Sequence, residues 1–250
     1  MVKKILVSQP QPTSTNSPYY EIAKQFDVEL VFRPFIKVEG ITAQEFRQQK
    51  VNIANFTAVV FTSRHAIDHF FQLTKEMRIT MPETTKYFCV TETIALYIQK
   101  YAPYRKRKIF FGSTGKIDDL IPAMVKHKNE KYLVPMSSVA NDSITRLLDS
   151  KELNHRECVM YRTVSNDFNE EEKKNFDYDM ALFFSPAGIK SLKENFPDMK
   201  AGDLQIGTFG PSTAKAARDA GLELNLEAPT ERYPSMTGAL RHFLQELEED

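Results

Sequence analysis

VVFTSRHAIDHF, from Val59 to Phe70, and ALFFSPAGIKSL, from Ala181 to Leu192, decide how this chain is read. Each opens as a short apolar run, turns a polar corner, and continues with apolar residues at helical spacing. The run reads as a buried strand and the continuation as an amphipathic helix, opening on Ser63 in one copy and Ser185 in the other. Strand, corner and helix in that order form the building unit of a parallel α/β sheet. The same unit written twice, about 120 residues apart, points to two related sheets.

Outward from these stretches the alternation continues. Strands are expected at 4–8, 29–33, 58–62, 87–90, 108–111, 131–135, 180–185, 204–208 and 223–227. Helices are expected between them, at 17–26, 64–76, 93–101, 116–126, 141–149, 186–195, 212–220 and 234–248. Two stretches break the rhythm. Arg33-Pro34-Phe35-Ile36-Lys37-Val38 and Glu157-Cys158-Val159-Met160-Tyr161-Arg162-Thr163-Val164 are extended, with no helix attached. An inserted domain needs one strand out and one back, so these read as antiparallel connectors at 34–38 and 158–164. They would separate an outer domain (1–33 plus 165–250) from an inner one (39–157), with 166–174 as a solvated acidic turn. Matching units recur in order: 59–67 with 181–189, 88–95 with 205–215, 108–124 with 223–240, and 131–148 with 3–26.

The corners carry the chemistry. In parallel sheets ligands settle beyond the carboxyl ends of the strands, where helix N-termini offer unpaired N–H groups and a positive dipole end. Ser185 caps, Pro186 suits the first helical position, and Ala187 and Gly188 allow close approach. Thr62-Ser63-Arg64 repeats the design with an added cation, and Thr93, Ser212 and Thr213 (after Gly210-Pro211) are read as further capping hydroxyls. Single caps are commonplace without any ligand. Several in two facing domains describe a wide cleft for a polycarboxylate. Tyr161, on the second connector and followed by Arg162, offers a phenol that donates a hydrogen bond without needing a charge; packing in an extended strand is its other reading.

Composition excludes several classes. Lys+Arg and Asp+Glu both number 33, so a protein gripping nucleic acid through bulk positive charge is not expected. No apolar stretch approaches the roughly 20 residues of a membrane span, and after Lys3 and Lys4 the apolar run is only Ile5-Leu6-Val7, a strand rather than a secretory core. A cytosolic location is expected. Cys89 and Cys158 lack any paired spacing and read as reduced, buried thiols. Gly112-Ser113-Thr114-Gly115-Lys116 has glycines too close for a phosphate loop, and Ile117 follows where Ser or Thr would be needed. Gly207-Thr208-Phe209-Gly210 lacks the third glycine of a dinucleotide fingerprint. His65 and His69 lie one helical turn apart without a third ligand, so no metal is expected there. Arg105-Lys106-Arg107-Lys108 reads as a solvated basic turn.

Taken in order, FTSRHAI, FFSPAGI, GPSTAKAARDAG, RPFIKV and VMYRTV resemble the uroporphyrinogen-III synthase family over essentially the whole chain. The resemblance implies two flavodoxin-like α/β domains joined by a two-stranded ladder, and a cofactor-free cyclisation of hydroxymethylbilane with loss of water and inversion of ring D. It implies that Tyr161 is the proton donor to the departing hydroxyl. It also implies that Thr62, Ser63, Thr93, Ser185, Ser212 and Thr213 line the substrate site, and that the carboxylate contact made by an arginine in many bacterial members is either missing here or supplied by Arg64 or Arg162. A monomer taking its substrate from hydroxymethylbilane synthase is expected. The sequence departs from the family at Glu92, where glycine is frequent, at His65, where Asn is frequent, and at Ser8-Gln9-Pro10, where many members carry arginine. A two-domain anion sensor or tetrapyrrole-binding scaffold without turnover would present the same corners.

Overall fold

The chain is described by a computed structural model that covers residues 2–140 and 142–249. Its elements begin β1 (Lys4–Val7), α1 (Pro18–Gln25), β2 (Glu29–Phe32), β3 (Ile36–Gly40), α2 (Ala43–Gln48), β4 (Ala58–Phe61) and α3 (Arg64–Glu76). Next come β5 (Lys86–Cys89), α4 (Glu92–Tyr97), β6 (Ile109–Phe111), α5 (Ile121–Lys126), β7 (Tyr132–Ser137) and α6 (Ser143–Ser150). The long β8 (His155–Ser165) leads to α7 (Glu170–Lys174), β9 (Met180–Phe183), α8 (Pro186–Asn195), β10 (Gln205–Phe209), α9 (Pro211–Asp219), β11 (Leu224–Ala228) and α10 (Met236–Glu249). Asn141, the expected start of the helix at 141–149, lies outside the described residues. Contacts divide the chain into one unit of Met1–Lys37 with Val164–Asp250 and a second of Val38–Thr163.

The first unit holds a five-stranded sheet in the order β11-β10-β9-β1-β2, with every neighbouring pair parallel. Numbered by their own succession these strands run 2-1-3-4-5 from the β2 edge, the flavodoxin-like order. The second unit holds β3-β8-β7-β4-β5-β6. Its pairs from β8 to β6 are parallel. Ile41 N–H donates to the Met160 carbonyl and Asn166 N–H to the Phe35 carbonyl, so β3 runs antiparallel to β8. Without β3, the second sheet is the first one circularly permuted: β7 takes the place of β1, β8 of β2, β4 of β9, β5 of β10 and β6 of β11. The sequence repeat is therefore a repeat of topology.

Burial on both faces explains the continuous apolar runs. In β4, Val59 and Phe61 face one core while Ala58 and Val60 face the other, and all four are fully buried. In β9, Met180 and Leu182 divide from Ala181 and Phe183 in the same way. At roughly 1.5–3 kcal/mol for each large buried side chain, such strands hold their register firmly. The chain passes from one unit to the other on β3 and β8. In the first unit Arg33 gathers their ends: it donates to the carbonyls of Pro34, Asn166 and Asp167, pairs with Glu172 and stacks on Phe168.

Some boundaries differ from expectation. The acidic stretch 166–174 contains the short helix α7, held by a reciprocal cap between Asn169 and Glu172. The expected helix at 116–126 is a 3-10 turn, Ile117–Leu120, followed by α5. In the glycine-rich loop before it, the backbone N–H groups of Ser113 and Thr114 donate to Asp119, so the chain's own carboxylate occupies the turn. Cys89 and Cys158 are buried and unpaired, and burial pushes the Cys89 thiol up to about 12.

Candidate active site

The two serine corners are the same structure. Ser63 (φ −156°, ψ 163°) follows β4 and accepts a hydrogen bond from Ala66 N–H at 3.1 Å. Ser185 (φ −156°, ψ 153°) follows β9 and accepts from Gly188 N–H at 3.2 Å. Each strand lies where its sheet reverses connection: β9 beside β1, and β4 beside β7. Open α/β sheets bind ligands at this switch point. Pro186 and Ala187 are exposed at the start of α8, while Gly188 is buried; a Cβ there would stand 3.2 Å from the Phe183 ring. The serine hydroxyl covers one backbone donor, and others of the first turn remain for an anion.

Tyr161 stands at the Ser63 corner. Its hydroxyl lies 3.1 Å from Ser63 Oγ, with either atom able to donate. A bulge aims it there. Along β7 and β8, Met136 pairs with Val159 but Ser137 pairs with Tyr161, so Met160 is an extra residue. Burial accordingly falls on Met160 and Tyr161 in succession instead of alternating. Bulges of this kind re-aim side chains beside functional sites. Gln49, at the end of α2, braces the bulge from the side. Its Nε2 donates to the Val159 carbonyl and its Oε1 accepts from Val159 N–H, both at 2.8 Å.

Two histidines on α3 complete the surroundings. The His69 ring stacks on Tyr161 with centroids 5.6 Å apart, and the His65 ring lies 6.2 Å from it. Burial, with the neighbouring His65 as a second cause, holds the His69 imidazole below its ordinary value despite Asp68 nearby. His69 is therefore neutral at neutral pH, and its buried Nδ1 has no partner among the described residues. Gly40 makes room for it, since a Cβ there would come within 2.7 Å of Nδ1. Asp68 sits outside this group, bonded by Tyr97, Lys100 and Tyr101. Partial burial opposes these bonds, which still keep its carboxyl below the usual range.

The remaining residues divide. Thr62 and Ser63 are half-buried at the corner, and Arg64 is exposed, its guanidinium 5.3 Å above the Tyr97 ring with no carboxylate partner among the described residues. Arg162 is not a free cation: it pairs with Glu39 at 3.0 Å and Glu45 at 2.7 Å. Hydrogen bonds from Thr42 and Arg162 hold Glu45 down to about 2. Thr93 does not open its helix. Thr91 caps α4, accepting from Ile94 N–H, and Thr93 is exposed one residue inside it. Ser212 and Thr213 do not cap either. Gly210, at φ 94°, precedes Pro211 without a side-chain cap, leaving Ser212 exposed and Thr213 buried within the first turn. A left-handed φ at the cap requires glycine, and that glycine had no hydroxyl to notice in the sequence.

Sequence reasoning missed His69, Gly40 and Gln49. The spacing of Ser63, His65 and His69 was the one signal for the histidines. Nothing local to Gln49 reveals a partner 110 residues away.

Comparison with known proteins gives the family and the fold. A family model described as Uroporphyrinogen-III synthase HemD matches residues 17–238. Uroporphyrinogen-III synthase from Saccharomyces cerevisiae is 23% identical over 245 residues, covering 86% of this chain and 87% of that protein. The crystal structure of uroporphyrinogen-III synthetase from Helicobacter pylori superposes with a TM-score of 0.58 at 13% identity, covering 98% of this chain and 99% of that one, and so shares the fold. Among the described residues no helix is long and apolar enough to cross a membrane. By its match over residues 17–238, the chain belongs to the uroporphyrinogen-III synthase family.

Proposed function

We propose that this member of the family cyclises hydroxymethylbilane to uroporphyrinogen III, as a hydro-lyase of tetrapyrrole synthesis, with Tyr161 as the proton donor. The observation that carries the reading is the Tyr161 hydroxyl held 3.1 Å from Ser63 Oγ at the N-terminus of α3. Substrate and product bear eight carboxylates. In the second unit the N-terminus of α3, with exposed Arg64, offers a seat for a carboxylate arm, and in the first unit Ser185, Pro186, Ala187 and Gly188 at the start of α8 and Ser212 and Thr213 in α9 offer seats of the same kind.

The Tyr161 O–H donates its proton to the terminal hydroxyl, which leaves as water, and Ser63 holds the phenol oxygen in line. The pyrrole nitrogen supplies the electron pair that makes the azafulvenium. The substituted carbon of ring D then attacks that methylene, and the resulting spiro ring fragments and recloses with ring D turned over. Loss of a ring proton restores the pyrrole and returns the proton to Tyr161. The sum is loss of one water. His69 contributes by staying neutral: an imidazolium stacked on Tyr161 would oppose the cation formed beside it. The pyrroles carry the charge, so folding the chain into the reactive geometry supplies much of the acceleration.

We read the protein as a cytosolic monomer that receives its substrate from hydroxymethylbilane synthase. Hydroxymethylbilane closes unaided to the type I isomer, which makes the test direct. Purified protein given fresh hydroxymethylbilane is expected to yield mainly type III. Type I alone would overturn the enzymatic reading in favour of a sensor or scaffold.

A further inference from the structure

The second unit carries an open cavity of about 630 Å³ that the reaction does not use. It is lined by Thr85, just before β5, by Lys108, just before β6, and by Thr74, Lys75 and Arg78 at the end of α3. These mark the amino ends of the parallel strands, whereas Ser63 and Thr91 follow the carboxyl ends. The 13 residues of α3 separate the two places by about 20 Å.

Three independent features describe what would fill it. Its apolar lining is aromatic: the Phe71 and Tyr101 rings stack on each other 4.9 Å apart at 8°, with Tyr87 beside Phe71 and Met81 also on the lining. Its charge is positive and partly unspent. Arg105 pairs with Glu83 at 3.0 Å and Lys108 donates to the Glu83 carbonyl, but Lys75 and Arg78 have no ion-pair partner among the described residues. Finally, Thr85 is 3% exposed, and its Oγ1 has no hydrogen-bond partner among the described residues. A buried hydroxyl left unpaired is costly unless something else completes it.

We infer that this cavity is a second ligand site, built for a flat aromatic carboxylate. The ring lies against Phe71, Tyr101 and Met81, the carboxylate meets Lys75 and Arg78, and a polar atom of the ligand completes Thr85. Two unpaired cations suit one carboxylate, not the eight of the substrate. The site does not depend on the catalytic reading, since its residues lie outside the Tyr161 corner. It gives the basic turn from Arg105 to Lys108 a place in a binding surface.

The test is titration of the isotope-labelled full chain with 2-naphthoate, followed by amide chemical shifts. Saturable one-to-one binding is expected, with shifts concentrated in 71–87 and 101–109, and with neutral 2-naphthamide bound about tenfold more weakly. The K75E/R78E variant should lose that preference for the acid while keeping wild-type turnover of hydroxymethylbilane, and Thr85→Val should weaken both ligands. Ala102→Trp, which fills the cavity without changing charge, should block binding and provides a second check if charge reversal disturbs folding. Shifts scattered over the surface, equal binding of acid and amide, or binding unchanged in both K75E/R78E and A102W would overturn the assignment.

Discussion

Replacing Gln49 by leucine tests whether one amide holds the bulge that aims Tyr161. Gln49 gives Val159 both of its missing strand bonds, at 2.8 Å each, next to the residue where β8 slips register. Leucine keeps the bulk and removes both partners, leaving an N–H and a C=O of β8 unpaired. Fully buried, the two groups together would cost about 2–6 kcal/mol. Val159 and Gln49 are half-buried, so water reaches the freed groups and the expected loss is about 1–2 kcal/mol. For a chain of this length that is a fall of about 2–8 °C in the thermal midpoint of the second unit. Catalysis is expected to suffer more than stability. Tyr161 lies two residues beyond Val159, and a displacement of an ångström at a reacting group costs up to about 100-fold. With Tyr161 displaced only in part, kcat should fall about tenfold and KM should move little. Circular dichroism melting and initial rates with fresh hydroxymethylbilane read the two effects, with Gln48→Leu, at an exposed neighbour, as the control. A Q49L protein with wild-type melting and wild-type kcat would refute the bracing role.

Three further outcomes follow from the same geometry. Gly40→Ala puts a Cβ 2.7 Å from His69 Nδ1, so the ring must turn away from Tyr161; about 1–2 kcal/mol of stability should be lost, with a kcat deficit measurable in the same assay. The folded protein holds His69 below the ordinary value near 6.5, so the unfolded chain binds its proton first and stability falls as pH drops from 6.5 through the lower folded value. Denaturant titrations at pH 7.5 and 5.5 should show a smaller acid loss in His69→Gln than in wild type, with His65 and Asp68, its neighbours on α3, left in place in both; equal losses would remove His69 as the cause. In the first unit, Asn195 Oδ1 accepts from Phe168 N–H at 2.7 Å while its Nδ2 donates to the Ser191 carbonyl at 2.8 Å. Asn195→Leu leaves that buried N–H bare and should cost about 2–4 kcal/mol in melting experiments, with kcat of the folded fraction preserved.

The sequence made legible what depends on neighbours along the chain. Apolar runs buried on both faces gave the central strands, and Ser63 and Ser185, each three residues before a backbone donor, gave the matching corners. Order along the chain also carried the permuted sheet, because each unit pairs strand with helix in the same succession. What was hidden depends on space. Thr91 and Thr93 both suit a cap, and only the backbone angles choose Thr91. Gly210 caps through its φ of 94° rather than through a side chain. Arg162 looked like a cation for the substrate until the fold set Glu39 and Glu45 around it. Gly40 and His69 meet only because β3 passes beside α3, and no local pattern records that approach.

The central claim is that the Tyr161 phenol, set at the Ser63 corner, is the proton donor of the cyclisation. Its most direct measurement is kcat on saturating hydroxymethylbilane for Tyr161→Phe beside Ser63→Ala, Ser185→Ala and Ser212→Ala. The account predicts the largest fall for Tyr161→Phe, about 10- to 100-fold, below the usual upper range for a general acid because the pyrrole assists departure. Ser63→Ala should come next, through the misplaced phenol, while Ser185→Ala and Ser212→Ala change KM more than kcat. Equal, small losses in all four, or a Tyr161→Phe enzyme at the wild-type rate, would contradict it.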